Sequence, residues 1–176
     1  YVLAHNEHPP DERPIQIPYD HAALVSQIVP DLSDQEAVLN VLKRTQTIPH
    51  HLSEESVDYI MTRVERSHSW ATKYAPPQYR FEVSRQVPST IRAKLSEEEV
   101  KALHLLADAL ETQKWTPSDF KAEVYRIARE ATGIGPKKLF QAAYLVFFGQ
   151  PSGPRLAPFL LSYDENFVKK RLRELR

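Results

Sequence analysis

The segment from residue 137 to residue 161 constrains the fold most, because an apolar helix there runs directly into a stiff turn. Between residues 139 and 148 nearly every position is apolar, as expected of a helix that is buried on most sides. Gly149 follows, and a glycine at this place can adopt the positive φ that ends a helix. Pro151 and Pro154 then prevent the helix from resuming.

The side chain that this turn presents is Arg155. Its planar guanidinium can donate two parallel hydrogen bonds, which suits recognition of a phosphate or of the edge of a nucleobase. The same group suits a structural salt bridge equally well, for example to Asp164 or Glu165. The sequence leaves both interpretations open.

Helical patterns dominate the rest of the chain. Apolar residues recur with the helical period between the fourteen prolines, and helix-starting residues precede most of these segments. The predicted N-caps are Ser33 with Glu36 three residues later, Ser53, Ser96 with Glu99, Thr116 followed by Pro117, and Asp164. Only residues 79–95 alternate briefly as a strand does, and Pro88 interrupts them. We therefore predict an all-α fold, a helical bundle or cage of about seven helices.

Proline content also divides the chain. Residues 1–18 hold four prolines and are predicted to be an extended connector rather than a helix. Residues 19–95 are predicted to form a first helical subdomain, and residues 96–176 a C-terminal helical subdomain. A chain of 176 residues is long enough for one domain, or for two small subdomains that share an interface.

Two strings in the chain resemble one protein family. The first is G-x-x-S-G-P-R-L-x-P-F-L over residues 149–160, preceded by L-F-x-A-x-Y and followed by D-E-x-F-V-x-x-R-L. The second is W-x-x-K-Y-A-P over residues 70–76. Both are similar to the C-terminal end of class I lysyl-tRNA synthetases, and the resemblance runs from about Ile17 to Arg171. Glutamyl-tRNA synthetases share the layout and are the alternative. They rank second because their corresponding end lacks the Ser-Gly-Pro-Arg string.

The resemblance implies an all-helical region that binds tRNA, selecting it by the anticodon loop. The whole enzyme of that family joins lysine to its tRNA with ATP and magnesium in a Rossmann domain that carries HIGH and KMSKS motifs. Neither motif occurs in this chain, and no phosphate-binding loop does either. We therefore expect a fragment that is not an enzyme by itself, with no cofactor of its own, entered at Tyr1 from a missing N-terminal catalytic domain.

Seven side chains are the candidates for RNA binding. Proteins hold single-stranded RNA by stacking its bases on aromatic rings or guanidinium planes. The candidates are Arg66, Trp70 and Tyr74, which lie one helical turn apart, together with Lys73, Lys137, Lys138 and Arg155. Trp70 and Tyr74 could instead belong to the core. Lys137 and Lys138 stand at a predicted helix start, where the helix dipole opposes cations, so the pair indicates either an anionic partner or plain solvation.

Charge is unevenly distributed although the formal net charge is zero. Residues 1–60 carry three Lys/Arg against ten Asp/Glu, and residues 137–176 carry eight against three. A basic C-terminal third is what a phosphate-contacting face requires. It is also typical of a helix terminus whose cations complement the dipole.

Two other classes of function agree less well with the sequence. A helical protein–protein interaction domain would place an apolar patch, rather than a basic one, in the C-terminal third. The sequence contains no pattern of nucleophilic or metal-binding residues that a hydrolase would need. The histidine pairs His5 with His8 and His50 with His51 lack the third ligand of a zinc site. The chain has no cysteine and no run of about 18 apolar residues. We expect neither a disulfide nor a membrane partner, and a cytoplasmic location.

Overall fold

The computed structural model describes residues 15–76 and 79–175. Most of the predicted connector, with His5 and His8, lies outside the described residues. The part that is described forms nine α-helices and one π-helical turn. They are Tyr19–Ile28 (α1), Gln35–Arg44 (α2), Glu54–Lys73 (α3), Ser89–Arg92 (α4), Glu97–Thr112 (α5), Pro117–Arg126 (α6), the π-helical turn Ile127–Ala131, Pro136–Phe148 (α7), Leu156–Ser162 (α8) and Glu165–Arg173 (α9).

The all-α prediction is confirmed, since these described residues contain no strand. The segment 79–95, where the sequence alternates briefly, is loop apart from the single turn α4. The two helices beyond the predicted seven are α4 and α8. Helix α8 includes Pro158 as its third residue. A proline is compatible with a first helical turn because its missing N–H would have no partner there.

Most helices begin where their capping residues predict. Ser96 and Glu99 form both hydrogen bonds of a capping box, and Asp164 accepts a hydrogen bond from Phe167 N at 2.7 Å. Ser53 and Thr116 cap α3 and α6. Their positions hold because a capping bond is a local contact between residues three apart.

The predicted N-cap at Ser33 is wrong. The hydroxyl of Ser33 donates to Asp31 Oδ1 at 2.6 Å, so it is engaged in the preceding turn. Asp34 takes its place and accepts from Ala37 N at 3.0 Å. An aspartate is as good an N-cap as a serine, and helix α2 therefore starts one residue later than its sequence suggests.

Buried apolar residues form two clusters. One is built from α1, α2 and α3 and includes Val25, Leu42 and Ile60. The other is built from α5 to α9 and also takes in Leu24 of α1. Helix α1 therefore contributes to both clusters through successive residues on different sides of the helix. The boundaries predicted for the two subdomains remain a prediction.

Side chains from one part of the chain hold distant backbone segments in place. Gln27 on α1 donates to Tyr79 O at 2.9 Å and accepts from Phe81 N at 3.2 Å. Arg44 on α2 donates to Ser162 O at 2.7 Å. The buried Arg171 donates to the carbonyl of Val146 at 3.1 Å. These bonds fix the loop after α3 against α1, and α8 against α2.

None of the described helices combines the length and apolarity needed to cross a bilayer.

Candidate nucleic-acid interface

The end of helix α3 carries a shallow groove lined by Arg66, Trp70 and Tyr74, together with Glu65 and Ser69. The predicted stripe of side chains therefore lies on one surface. Its members differ in burial: Tyr74 is 75% exposed, whereas Trp70 is half-buried. Trp70 thus belongs neither wholly to the core nor wholly to the surface.

Two tyrosines hold the Trp70 ring. Tyr19 of α1 meets it edge-on with ring centroids 5.4 Å apart, and Tyr79 of the following loop meets it edge-on at 5.5 Å. Edge-to-face packing of this kind stabilises aromatic pairs beyond their buried area. Trp70 is consequently held rigidly, while Tyr74 presents its ring to solvent.

Three cationic residues of α3 lie near these rings. The guanidinium of Arg63 lies over the Tyr19 ring, 5.1 Å from its centroid. Arg66 is exposed, and its carbonyl accepts a hydrogen bond from the Tyr19 hydroxyl at 3.4 Å. Lys73 is exposed in the last turn of α3, and its carbonyl accepts from Arg80 at 3.4 Å. The end of α3 therefore combines aromatic and positively charged groups.

The turn after α7 is held tightly. Gly149 ends α7 in the left-handed conformation, with φ 69°, which confirms the helix stop predicted there. Tyr144 donates its hydroxyl proton to Pro154 O at 2.7 Å, and burial raises its pKa to about 12. A Cβ on Gly153 would come within 2.8 Å of the Phe148 ring and 2.9 Å of the Tyr144 ring. Only glycine lets the turn approach these rings so closely.

The structural partner of Arg155 is Asp20. Arg155 Nε lies 3.0 Å from Asp20 Oδ2, and the Arg155 side chain is 80% exposed. The suggested pairing with Asp164 or Glu165 is wrong, because Asp164 caps α9 and Glu165 pairs with Lys169 at 3.0 Å. Sequence could not identify the partner, since Asp20 stands far away along the chain at the start of α1.

The Asp20–Arg155 pair stands in the wall of a cleft of about 400 Å³, which His21, Gln27 and Tyr79 also line. Burial lowers the pKa of His21, and the Arg155 charge lowers it further, against the opposing effect of Asp20. The His21 ring is therefore neutral at pH 7. These side chains give the cleft both hydrogen-bonding groups and an aromatic wall.

The cleft and the α3 groove adjoin. Tyr79 lines the cleft and also contacts Trp70, which lines the groove. The structure thus links Arg66, Trp70 and Tyr74 to Arg155 along one surface, which we call the aromatic–cationic surface. Local sequence patterns do not predict three further members, which are Tyr19, Asp20 and Tyr79. Each joins through contacts between segments far apart in the chain, which no local pattern encodes.

Lys137 and Lys138 lie elsewhere. Both are exposed in the first turn of α7. The pKa of Glu98 is lowered by its own backbone N–H and by Ser96, and less strongly by Lys138, so Lys138 lies near the start of α5. Among the hydrogen bonds, ion pairs and ring contacts of residues 15–76 and 79–175, none joins the two lysines to Trp70 or Arg155.

The basic residues of α9 mostly pair within the chain. Arg173 contacts Asp108 at 2.6 Å and Glu111 at 2.9 Å, and Lys169 lies 3.0 Å from Glu165. The C-terminal charge excess therefore ties α9 to α5 and does not by itself mark a phosphate-contacting face. The large apolar side chains exposed among the described residues are Tyr59, Tyr74 and Tyr79. The apolar C-terminal patch expected of a protein–protein interaction domain is not among them.

These features define a class, an all-helical protein whose surface carries adjoining aromatic rings and guanidinium groups. The relatives are more specific. The chain is 31% identical over 175 residues to the lysine–tRNA ligase of Aeropyrum pernix, a match to 99% of this chain and 31% of that protein. It is 32% identical over 165 residues to the lysine–tRNA ligase of Pyrococcus horikoshii, covering 93% of this chain and 30% of that protein.

A third lysine–tRNA ligase, from Methanosphaera stadtmanae, is 31% identical over 173 residues, covering 93% of this chain and 32% of that protein. The resemblance to lysyl-tRNA synthetases that the sequence predicted is thereby confirmed, and the matched part is their C-terminal portion. The chain spans about a third of the length of these curated relatives. No protein-family profile matches it.

Proposed function

We propose that this chain binds lysine-accepting tRNA through its anticodon loop, as the anticodon-binding region of a lysine–tRNA ligase. The observation that carries this proposal is the similarity to such ligases along 99% of the chain. The resemblance of residues 70–76 and 149–160 to the family's strings supports the same function, because both segments contribute to the aromatic–cationic surface.

The geometry is suited to holding an unpaired loop. A splayed base can stack on the exposed ring of Tyr74, while Trp70 provides a rigid wall beside it. Arg66 and Lys73 lie on the same helix end, where they can reach phosphates. The cleft beside Arg155 offers hydrogen bonds to a second base or to a phosphate. The base stacked on Tyr74 contributes about 1–3 kcal/mol, and the phosphate contacts and the hydrogen bonds in the cleft add to it.

The remaining chemistry is assigned to the rest of the ligase. In this proposal a Rossmann catalytic domain of the same polypeptide holds ATP and magnesium and joins lysine to the tRNA, in the cytoplasm. The present chain selects the tRNA and orients it, and it supplies no catalytic residue. Lys137 and Lys138 remain candidates for a phosphate contact outside the aromatic–cationic surface.

Equilibrium binding to fluorescently labelled lysine tRNA tests the proposal. We expect affinity to fall by at least tenfold between about 50 and 200 mM salt, because bound phosphates displace condensed counterions. The matched control is the same tRNA with its three anticodon bases replaced, which we expect to bind more weakly at every salt concentration. Equal affinity for the two tRNAs would refute anticodon recognition, and no binding at low salt would refute the function altogether.

A further inference from the structure

We propose that Asp20 is a built-in competitor for RNA: its carboxylate occupies the Arg155 guanidinium in the free protein, and an RNA phosphate displaces it. This inference rests on the proposed function and concerns how its surface is regulated. It gives a role to an acidic side chain that stands within a surface otherwise suited to an anion.

The carboxylate of Asp20 is well fixed. Its Oδ1 accepts a hydrogen bond from His21 N at 3.0 Å, and its Oδ2 lies 3.0 Å from Arg155 Nε. Asp20 stands in the first turn of α1, where the positive end of the helix dipole stabilises a negative charge. Both oxygens are therefore engaged without any RNA present.

Arg155 is held much less firmly. It is the N-cap of α8 and makes no side-chain capping bond there, and the helix dipole opposes a cation at that end. Its side chain is 80% exposed, so burial does not hold it. In the part of the chain that the structure describes, Asp20 is its only ion-pair partner. Exposed ion pairs of this kind are weak, so a phosphate can replace the carboxylate.

The pair also decides the charge of the cleft. The charged or titratable side chains that line it are Asp20, His21, Tyr79 and Arg155. His21 is neutral at pH 7 because burial lowers its pKa and outweighs the opposing effect of Asp20. With Asp20 in place the cleft carries no net charge, and with Asp20 displaced it presents a cation. In the free protein, the Asp20 carboxylate therefore weakens non-specific binding of polyanions to Arg155.

The Asp20→Asn variant tests the inference, because asparagine keeps the size of the side chain and an oxygen for His21 N. We expect it to bind lysine tRNA roughly two- to fivefold more tightly than the wild type, as loss of a weak exposed pair implies. The salt dependence should match that of the wild type, because an RNA phosphate contacts Arg155 in both complexes. In an Arg155→Ala background the same substitution should give no gain.

Glu165→Gln is the matched control. It also removes one acidic charge that faces a cation, but its partner Lys169 is on α9, so we expect no gain in affinity. Equal gains in the two variants, or an Asp20→Asn protein that binds no more tightly than wild type, would overturn the inference. Weaker binding would assign Asp20 to direct contact with the RNA instead.

Inorganic polyphosphate separates failure of this inference from failure of the proposed function. If the wild type binds no tRNA, the proposed function fails, yet competition at Arg155 still predicts tighter retention of polyphosphate by Asp20→Asn than by wild type or Glu165→Gln. Equal retention of polyphosphate by all three proteins would then contradict the competitor role as well. Melting temperatures of the variants, measured alongside, identify any loss of folding.

Discussion

Two aromatic residues one helical turn apart take different roles in this surface. Trp70 and Tyr74 follow the same helical spacing, and the sequence could not decide whether either belongs to the core. The structure separates them, because Tyr19 and Tyr79 pack against the Trp70 ring, whereas Tyr74 is 75% exposed. Trp70 is therefore a structural wall, and Tyr74 is the ring available for a base.

Replacing Tyr74 by alanine separates binding from stability. We expect Tyr74→Ala to weaken tRNA binding by about 1–3 kcal/mol, the contribution of one stacked base. The melting temperature should hardly change, because the side chain is exposed and buries little apolar area. Fluorescence anisotropy and thermal denaturation measure the two effects.

Tyr59 provides the control, since it is 38% exposed on the same helix but outside the groove. Tyr59→Ala should leave tRNA affinity unchanged. If the two alanine variants bind equally well, the assignment of Tyr74 to the interface is incorrect.

At the level of elements, the turn between α7 and α8 determines where Arg155 stands. Sequence predicted the end of α7 at Gly149 and the stiffness of the turn from its prolines, because glycine and proline act locally. It did not predict α8 or the contact of the turn with α7. Those depend on Gly153 resting against Phe148 and Tyr144, an approach that only the folded packing reveals.

Gly153→Ala tests the packing of this turn. The added methyl group would stand 2.8 Å from the Phe148 ring, and overpacking of a well-packed site costs about 1–3 kcal/mol. We expect a lower urea midpoint, and weaker tRNA binding because the turn that carries Arg155 must shift. Urea denaturation and tRNA titration of the same preparation measure both.

Ser152→Ala on the same turn is the comparison, since Ser152 is exposed. It should match the wild type in both measurements. A Gly153→Ala protein as stable as Ser152→Ala would show that the turn accommodates the methyl group without loss of stability. The statement that position 153 requires glycine would then be incorrect.

For the whole molecule, the sequence predicted the all-α class and most helix starts, because N-caps such as Ser96 and Asp164 act within one turn. It predicted much less about how the helices combine. The charge excess near the C-terminus suggested a phosphate face, whereas Arg173 pairs with Asp108 and Glu111 of α5. Pairing between distant segments is decided by tertiary packing. For the same reason, the sequence did not predict that Asp20 is the partner of Arg155.

The aromatic–cationic surface is better suited to an unpaired loop of a tRNA than to a base-paired stem. The α3 groove and the Arg155 cleft adjoin through Tyr79, so a single flexible loop can reach both. A base-paired stem does not expose the faces of its bases for stacking, and it is therefore a poorer ligand for such a surface than an unpaired loop.

Competition between two fragments of lysine tRNA tests this claim most directly. One is the isolated anticodon stem-loop, and the other is a minihelix of the acceptor stem, each used to displace labelled full-length tRNA from the wild-type chain at the same moderate salt concentration. We predict that the anticodon stem-loop displaces the tRNA at a concentration at least tenfold lower than the acceptor minihelix does. Equal displacement by the two fragments, or better displacement by the acceptor minihelix, would contradict anticodon binding.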